Sequence, residues 1–146
     1  MAKVGGFEEL EIFLSKTAKG ILIKTKNDMG TVALEIGKAV VQATPVDTGR
    51  ARANWQPSLN FPSSSPIDAF DPSGTSTPLK IAAVAKRMTV DNSFHLTNRV
   101  PYIGLLDRGH SSQAPPGFIK IAIAAGAARG FAINAARRAK LLSELV

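Results

Sequence analysis

Carboxylates and histidines are the side chains from which acid–base chemistry would have to be built in this chain. Five aspartates lie beside turn residues or basic neighbours, at positions 47, 68, 71, 91 and 107. No spacing among them suggests a convergent acid–base pair, so we expect them to cap helices and shape turns. Asp107, His110 and Ser111 are close enough in sequence to suggest a Ser–His–Asp set. However, adjacent loop positions build that geometry poorly, and no nucleophile elbow is present.

Thiol, metal and nucleotide chemistry have even less support in the sequence. The chain has no cysteine and two histidines, His95 and His110. This excludes thiolate catalysis and cysteine-ligated metals, and it argues against a histidine-rich metal site. Neither a P-loop nor a Gly-x-Gly-x-x-Gly fingerprint occurs. The sequence therefore predicts a protein that is not an enzyme and that carries no metal or cofactor.

The sequence has an excess of positively charged residues. Lysine and arginine number 18 against 11 aspartates and glutamates, for a net charge of +7. Such a balance favours polyanions or acidic partners. Four cations lie close together near the C-terminus: Arg129, Arg137, Arg138 and Lys140. They form either a solvated or protein-binding face, or a surface that neutralises DNA phosphates without reading bases, since no helix-turn-helix or zinc-finger motif appears.

Long helices are predicted at both ends of the chain. Apolar residues recur at three- and four-residue steps over 7–44, and a similar pattern follows Pro116. The first helix would be about 55 Å long, so we expect part of it to project or to pack on another chain. Glycine destabilises helix interiors. We therefore expect a break near Asn27–Gly30 and kinks at Gly126 and Gly130.

Short strands and helices are predicted between these long helices. Pro45 ends the first helix because it cannot donate a backbone hydrogen bond. Alternating residues over 51–59 predict a strand with Trp55 on its apolar face. Three more elements follow: a helix over 79–88 with Thr77 as its N-cap, a strand over 89–100, and a helical turn over 103–107.

A loop rich in Pro, Ser and Gly is predicted at about 60–78, within a single domain spanning 1–146. Its apolar residues Phe61, Ile67 and Phe70 are expected to dock the loop on its own domain or on a neighbour. No segment approaches the roughly 20 apolar residues of a membrane-spanning helix, and no signal peptide is apparent. We expect a cytoplasmic protein without membrane contact.

Two segments together resemble one protein family. ATPVDTGRARANW, at 43–55, resembles the family's Pro-Val-Asp-Thr-Gly hallmark, which follows a long helix. NRVPYIGLLDRGHSSQAP, at 98–115, is similar to its second block, in which an Asn, a Pro-Tyr pair, an acidic residue near a Gly, and a small polar loop precede the last helix. The family is that of the tail-completion and head–tail joining (neck) proteins of long-tailed bacteriophages.

The resemblance implies a small α+β protomer, with a small antiparallel sheet flanked by a long N-terminal helix and a C-terminal helix. It implies a homo-oligomeric ring of six copies at the head-proximal end of the tail. Genomic DNA would pass through the lumen without being read, and head-closure or adaptor proteins and tail-terminator or tail-tube proteins would be the partners. The protein would be assembled in the host cytoplasm and reside in the virion.

The resemblance also implies roles for individual residues. Asp47 and Thr48 would cap the turn after Pro45, and Gly49 would supply its geometry. Trp55 and Tyr102 would be core or interface anchors. Asp107 stands where the family commonly has Glu, and it would pair with Arg50 or Arg52. Gly109 would close the short helix, and the cations Arg129, Arg137, Arg138 and Lys140 would face the lumen or a partner.

Two alternatives remain at this point. The first is another ring of the same region, a tail terminator or a head-closure adaptor, which differs only in the partner that each ring face meets. The second is a nonspecific DNA-binding protein, which the net charge of +7 permits.

Overall fold

The described chain contains two long helices, three short ones and a two-stranded antiparallel sheet, which confirms the predicted α+β class. The computed structural model describes residues 7–146, with side chains from Ser15 onward except at 22 and 23. The elements in chain order are α1 Phe7–Ala43, α2 Arg50–Ala53, β1 Gln56–Leu59, α3 Ser76–Ala85, β2 Phe94–Thr97, α4 Ile103–Asp107 and α5 Phe118–Glu144.

Helix α1 lies between α3 and α5. Its contacts with α5 are made through Asp28, Val32 and Ile36, and its contacts with α3 through Gly30 and Gly37. At 100° per residue, these two sets lie on opposite sides of the helix. The core forms where α1, α3, α5 and the segment before β1 meet, and its buried side chains are Val40, Val41, Trp55, Ile81 and Ala122.

The expected break in α1 is wrong, because the helix continues through 27–30, whereas the kinks expected in α5 stay a prediction. Gly126 and Gly130 lie on the buried side of a continuous α5, where the two helix backbones approach closely. A Cβ on Gly126 would lie 2.5 Å from the Cα of Ile36, and one on Gly130 would lie 2.8 Å from the Cα of Val32. Packing on both sides of α1 therefore outweighs the low helix propensity of glycine.

The strand predicted over 51–59 is wrong in its first half. Residues 50–53 form the helical turn α2, in which the Ala53 N–H donates to the Gly49 carbonyl (3.0 Å). Only β1 is extended, and it pairs with β2 from Gln56 opposite Thr97 to Leu59 opposite Phe94. The predicted strand over 89–100 is likewise reduced to the four residues of β2.

The loop at 60–75 is fixed mainly by hydrogen bonds rather than by its three apolar residues. Asn54 donates from Nδ2 to the Ile67 carbonyl (3.1 Å), and its Oδ1 accepts the Ile67 N–H (2.8 Å). Arg99 donates to the Ser63 carbonyl (2.9 Å). Phe61 and Phe70 are exposed, so neither anchors the loop on its own domain.

The far ends of the two long helices are open to solvent. Residues 15–21 of α1 and 135–146 at the C-terminus are exposed throughout. Contrary to the expectation from sequence, α5 is long and apolar enough to cross a membrane by length and composition. Core helices pass the same test, and α5 packs along α1, so the absence of membrane contact stays a prediction.

Candidate interaction site

The two segments that carry the family resemblance meet on one side of the molecule. They form the walls of a cleft of about 270 Å³. One wall is the stretch 45–51, which includes the turn and the start of α2. The other wall comes from α4 and the loop after it, with Tyr102, Leu106, His110 and Gln113 facing the cleft.

Gln113 joins the two walls through a pair of reciprocal hydrogen bonds. Its Nε2 donates to the Val46 carbonyl (2.8 Å), and its Oε1 accepts the Val46 N–H (2.8 Å). A second bridge runs from Asn98 Nδ2 to the Ala51 carbonyl (2.8 Å). An amide side chain that satisfies both backbone groups of one residue fixes position and orientation together. Sequence reasoning missed Gln113, because nothing local distinguishes a bridging glutamine from a solvated one.

The turn between α1 and α2 is supported from beneath by Thr44 and Trp55. The buried Thr44 hydroxyl donates to the Val40 carbonyl (2.7 Å) and accepts from Trp55 Nε1 (2.8 Å). Trp55 therefore buries its ring in the core with its N–H satisfied, as a buried tryptophan requires. Pro45 is also buried, directly after this support.

Gly49 is held in a conformation that other residues rarely adopt. Its φ is 87°, and a Cβ at this position would lie 2.3 Å from the Pro72 nitrogen. Thr48 accepts the Arg50 N–H through its hydroxyl (3.3 Å). The expected cap by Asp47 is wrong, because its exposed carboxylate accepts no hydrogen bond from the described residues. Asp47 instead lies at the edge of the cleft, where an external partner can reach it.

Asp107 does not pair with Arg50 or Arg52, so that expectation is wrong. Its Oδ1 accepts the Ile119 N–H (3.0 Å) in the first turn of α5, and its carbonyl accepts the Gly117 N–H (2.6 Å). A carboxylate at this position is favourable because the helix N-terminus carries unpaired N–H groups and partial positive charge.

Arg52 connects three backbone segments through its guanidinium group. Its guanidinium donates to the carbonyls of Gln42 (3.1 Å), Thr44 (3.0 Å) and Pro72 (2.8 Å). It thereby ties the end of α1 to the loop that precedes α3. Arg50 lines the cleft instead, and its buried Nε donates no hydrogen bond to the described residues.

The second wall turns at Gly109. This residue has a φ of 97° and lies against Pro116, so the chain reverses directly after α4. Tyr102 stands at the start of α4 and is partly exposed at the cleft, so it does not belong to the core. His110 is exposed beside it.

Asp71 organises the loop before α3 and takes the role expected of Thr77. Its carboxylate accepts the N–H groups of Gly74 (3.1 Å), Thr75 (3.2 Å) and Thr77 (2.8 Å), and α3 begins at Ser76. Burial by itself raises the pKa of Asp71, but hydrogen bonds, from Thr77 foremost, outweigh burial and hold its pKa well below the usual range. In the sequence, Asp71 looks like any other turn aspartate.

The expected C-terminal cluster of cations is divided between two faces. Arg129, Arg137 and Lys140 fall within about 80° of one another around α5, whereas Arg138 lies about 100° from Arg137. Arg138 forms an ion pair with Asp28 (2.7 Å). Arg137 donates to the Thr31 hydroxyl (2.8 Å).

Clefts of opposite character flank α1. On the Arg138 side lies a groove of about 620 Å³ that we name the apolar groove. Its apolar side chains include Met29, Val32, Ile36, Met88, Phe94 and Phe131. On the Arg137 side lies a cleft of about 310 Å³ whose lining includes Lys26, Lys86 and Arg137 and no carboxylate.

The arrangement offers surfaces shaped for contact, namely the clefts and the apolar groove. Among the side chains described, from Ser15 onward except at 22 and 23, no group of three or more His, Asp or Glu is placed to hold a metal ion. Asp107 caps α5 through its Oδ1 and forms no hydrogen bond with His110 among the described residues. Comparison with protein-family models, curated proteins and solved structures found no match to this chain.

Proposed function

We propose that this protein is a structural component of a phage virion. It forms a ring at the head-proximal end of the tail, where it completes the tail and joins it to the head, with DNA passing through the lumen. The observation that carries the proposal is that segments 43–55 and 98–115, the two that resemble the neck family, form one rigid surface joined by Gln113 and Asn98. Such a surface suits assembly rather than turnover.

Exposed apolar side chains support self-association. The apolar groove lies along α1 and α5, and Phe131 beside it is 63% exposed. Phe61 is 80% exposed on a loop held by Asn54 and Arg99, so it projects from a fixed base. A groove and a projecting aromatic loop on different parts of one chain fit a head-to-tail contact between copies, the kind that closes into rings. The occupant that we assign to the groove is a second copy of this chain.

Two alternatives remain. A tail terminator or head-closure adaptor would use the same self-contact and differ only in its axial partners. A nonspecific DNA-binding protein is favoured by one observation, the cleft lined by Lys26, Lys86 and Arg137. These alternatives predict different assembly behaviour.

The test is assembly of the full chain, alone and with purified tail tubes. We expect rings of six copies at high concentration or at tube ends, measured by sedimentation and electron microscopy. A monomer in isolation is compatible with assembly on the tube. Failure to bind tube ends, together with absence of the polypeptide from the head–tail junction of purified particles, would overturn the proposal.

A further inference from the structure

The lysines of α1 share one face of the helix. Among the described side chains, the five lysines fall within an arc of about 160° at 100° per residue: Lys16, Lys19, Lys24, Lys26 and Lys38. The arc is centred on the side of α1 that carries Asn27, Thr31 and Leu34, which is the side opposite the apolar groove.

Neighbouring helices extend this positive face. Lys86, directly after α3, and Arg137 of α5 line the same cleft as Lys26. Arg129 lies farther along α5, beside Lys38. We name this set the basic flank: Lys16, Lys19, Lys24, Lys26, Lys38, Lys86, Arg129, Arg137 and Lys140.

Little negative charge compensates the basic flank. Of the acidic residues with described side chains on α1, Asp28 lies on the other side, paired with Arg138, and Glu35 is buried and paired with Lys38 (2.9 Å). Glu144 stands 3.9 Å from Lys140 at an exposed end of α5, where an ion pair contributes little. Among the described residues, the other flank cations form no ion pair.

The dimensions of the flank match a double helix. Lys16 and Lys38 are 22 positions apart, or about 33 Å along a straight α-helix. Duplex DNA carries phosphates along about the same length in roughly one helical turn, at about 3.4 Å per step on each strand. A row of cations of this length therefore spans about one turn of the duplex and can meet phosphates where the two strands cross the side that faces it.

The composition of the flank argues against other classes of partner. Binding of single strands relies on aromatic side chains on which bases stack, and among the described side chains the exposed aromatics, Phe61, Phe70, Tyr102 and Phe131, lie away from the flank. Interfaces with proteins are depleted of lysine and enriched in aromatic residues. Lysine and arginine without aromatics are typical of contacts to the phosphate backbone.

We propose that the basic flank binds the phosphate backbone of double-stranded DNA without reading its sequence. The inference rests on the proposed function for the setting in which the DNA is met, and it names the surface that would face it. The proposed surface differs from the set of cations expected from sequence, because it leaves out Arg138, on the other side of α1, and includes the five α1 lysines.

The test measures binding of the full chain to a labelled random 30-base-pair duplex across a salt series. A triple variant, Lys19→Gln, Lys26→Gln and Lys86→Gln, is compared with a control of equal charge change, Lys80→Gln, Arg108→Gln and Lys120→Gln. The logarithm of affinity falls with the logarithm of salt by about 0.9 for each phosphate contacted. We expect the flank variant to lose about three units of this slope and at least about tenfold in affinity at 100 mM salt. The control should match the wild type.

Three results would overturn the inference. One is an equal loss of affinity in both variants, which would show that binding depends on net charge rather than on this surface. The second is no loss in the flank variant when circular dichroism shows it folded. The third is equal affinity for the duplex and for polyglutamate or a single strand. Assembly on tail tubes, measured on the same variants, separates the two proposals. Assembly without DNA binding would overturn this inference alone. DNA binding without assembly would overturn the proposed ring alone.

Discussion

Single polar side chains hold distant parts of this protein in register. Asn54 and Gln113 each satisfy both backbone groups of one residue, Ile67 and Val46 respectively, and Asp71 gathers three backbone N–H groups. These contacts replace the apolar anchoring that the sequence suggested for the loop at 60–75. Asn54 and Asp71 are buried, and buried polar groups are costly when unpaired, so we expect the loss of either side chain to loosen the segment that it holds.

Asp71 should make the stability of the fold dependent on acidic pH. Its pKa is held below the ordinary value near 3.9, so its contribution is present above that value and is lost as the pH falls toward the folded-state pKa. We expect Asp71→Asn to lower the free energy of unfolding by about 1.5–3 kcal/mol at pH 7, and the gap from wild type to shrink below about pH 4. Urea denaturation across pH measures this. Asp68→Asn, at an exposed aspartate, is the control, and a gap independent of pH would contradict the assignment.

Gly49 should tolerate no side chain, because two costs add at this position. A positive φ costs a non-glycine residue about 1–2 kcal/mol, and a Cβ would lie 2.3 Å from the Pro72 nitrogen. We expect Gly49→Ala to lower the free energy of unfolding by about 3 kcal/mol or more. Gly117 also has a positive φ, but no atom lies within 4 Å of a Cβ built there. Gly117→Ala should therefore lower the free energy of unfolding only by the cost of the positive φ. Equal losses in the two variants would contradict the steric argument.

At the scale of elements, the decisive contact is the close approach of α1 and α5. Small residues of α5 face α1 at four-residue spacing, Ala122, Gly126 and Gly130, followed by Asn134, which donates to the Asp28 carbonyl (3.0 Å). Helix geometry brings positions four apart onto one side. The glycines thus let the two helix backbones approach closely along this contact.

Substitution of Gly126 tests this contact. A leucine there would press on the backbone of Ile36, since a Cβ alone lies 2.5 Å from its Cα. We expect Gly126→Leu to destabilise the protein by about 3 kcal/mol, measured by thermal or urea unfolding. Ala124→Leu, at an exposed position of α5, should change stability by less than about 0.5 kcal/mol. A tolerated Gly126→Leu would mean that the helices are not in contact there.

At the scale of the whole molecule, one central helix separates two surfaces of different chemistry. The apolar groove and the basic flank lie on opposite sides of α1. In the proposed ring, copies of the chain would meet through the groove, while the basic flank would stay free for DNA. A chain that must contact both its neighbours and a polyanion has reason to keep these surfaces apart.

Self-assembly should depend on the groove. We expect Phe131→Asp to abolish ring formation or tube-end binding, because a charge replaces an exposed aromatic ring beside the groove. The monomer should unfold as the wild type does, since Phe131 is largely solvent-exposed. Leu79→Asp, at an exposed leucine outside the groove lining, is the matched control. Sedimentation and electron microscopy provide the measurement, and normal assembly of Phe131→Asp would contradict this use of the groove.

The sequence by itself determined the α+β class, the two long helices and the short helix α4. Each predicted end of a long helix lies within two residues of the observed one. These elements could be predicted because they follow from apolar periodicity and from proline and glycine. It also identified the two segments that form the cleft. It could not place the helical turn at 50–53, the capping roles of Asp71 and Asp107, or Gln113. Only the tertiary structure decided these, because each depends on a backbone group far along the chain, or on packing that outweighs local propensity. The same holds for the cations. The sequence gives their number, but the packing of three helices divides them between two sides of α1.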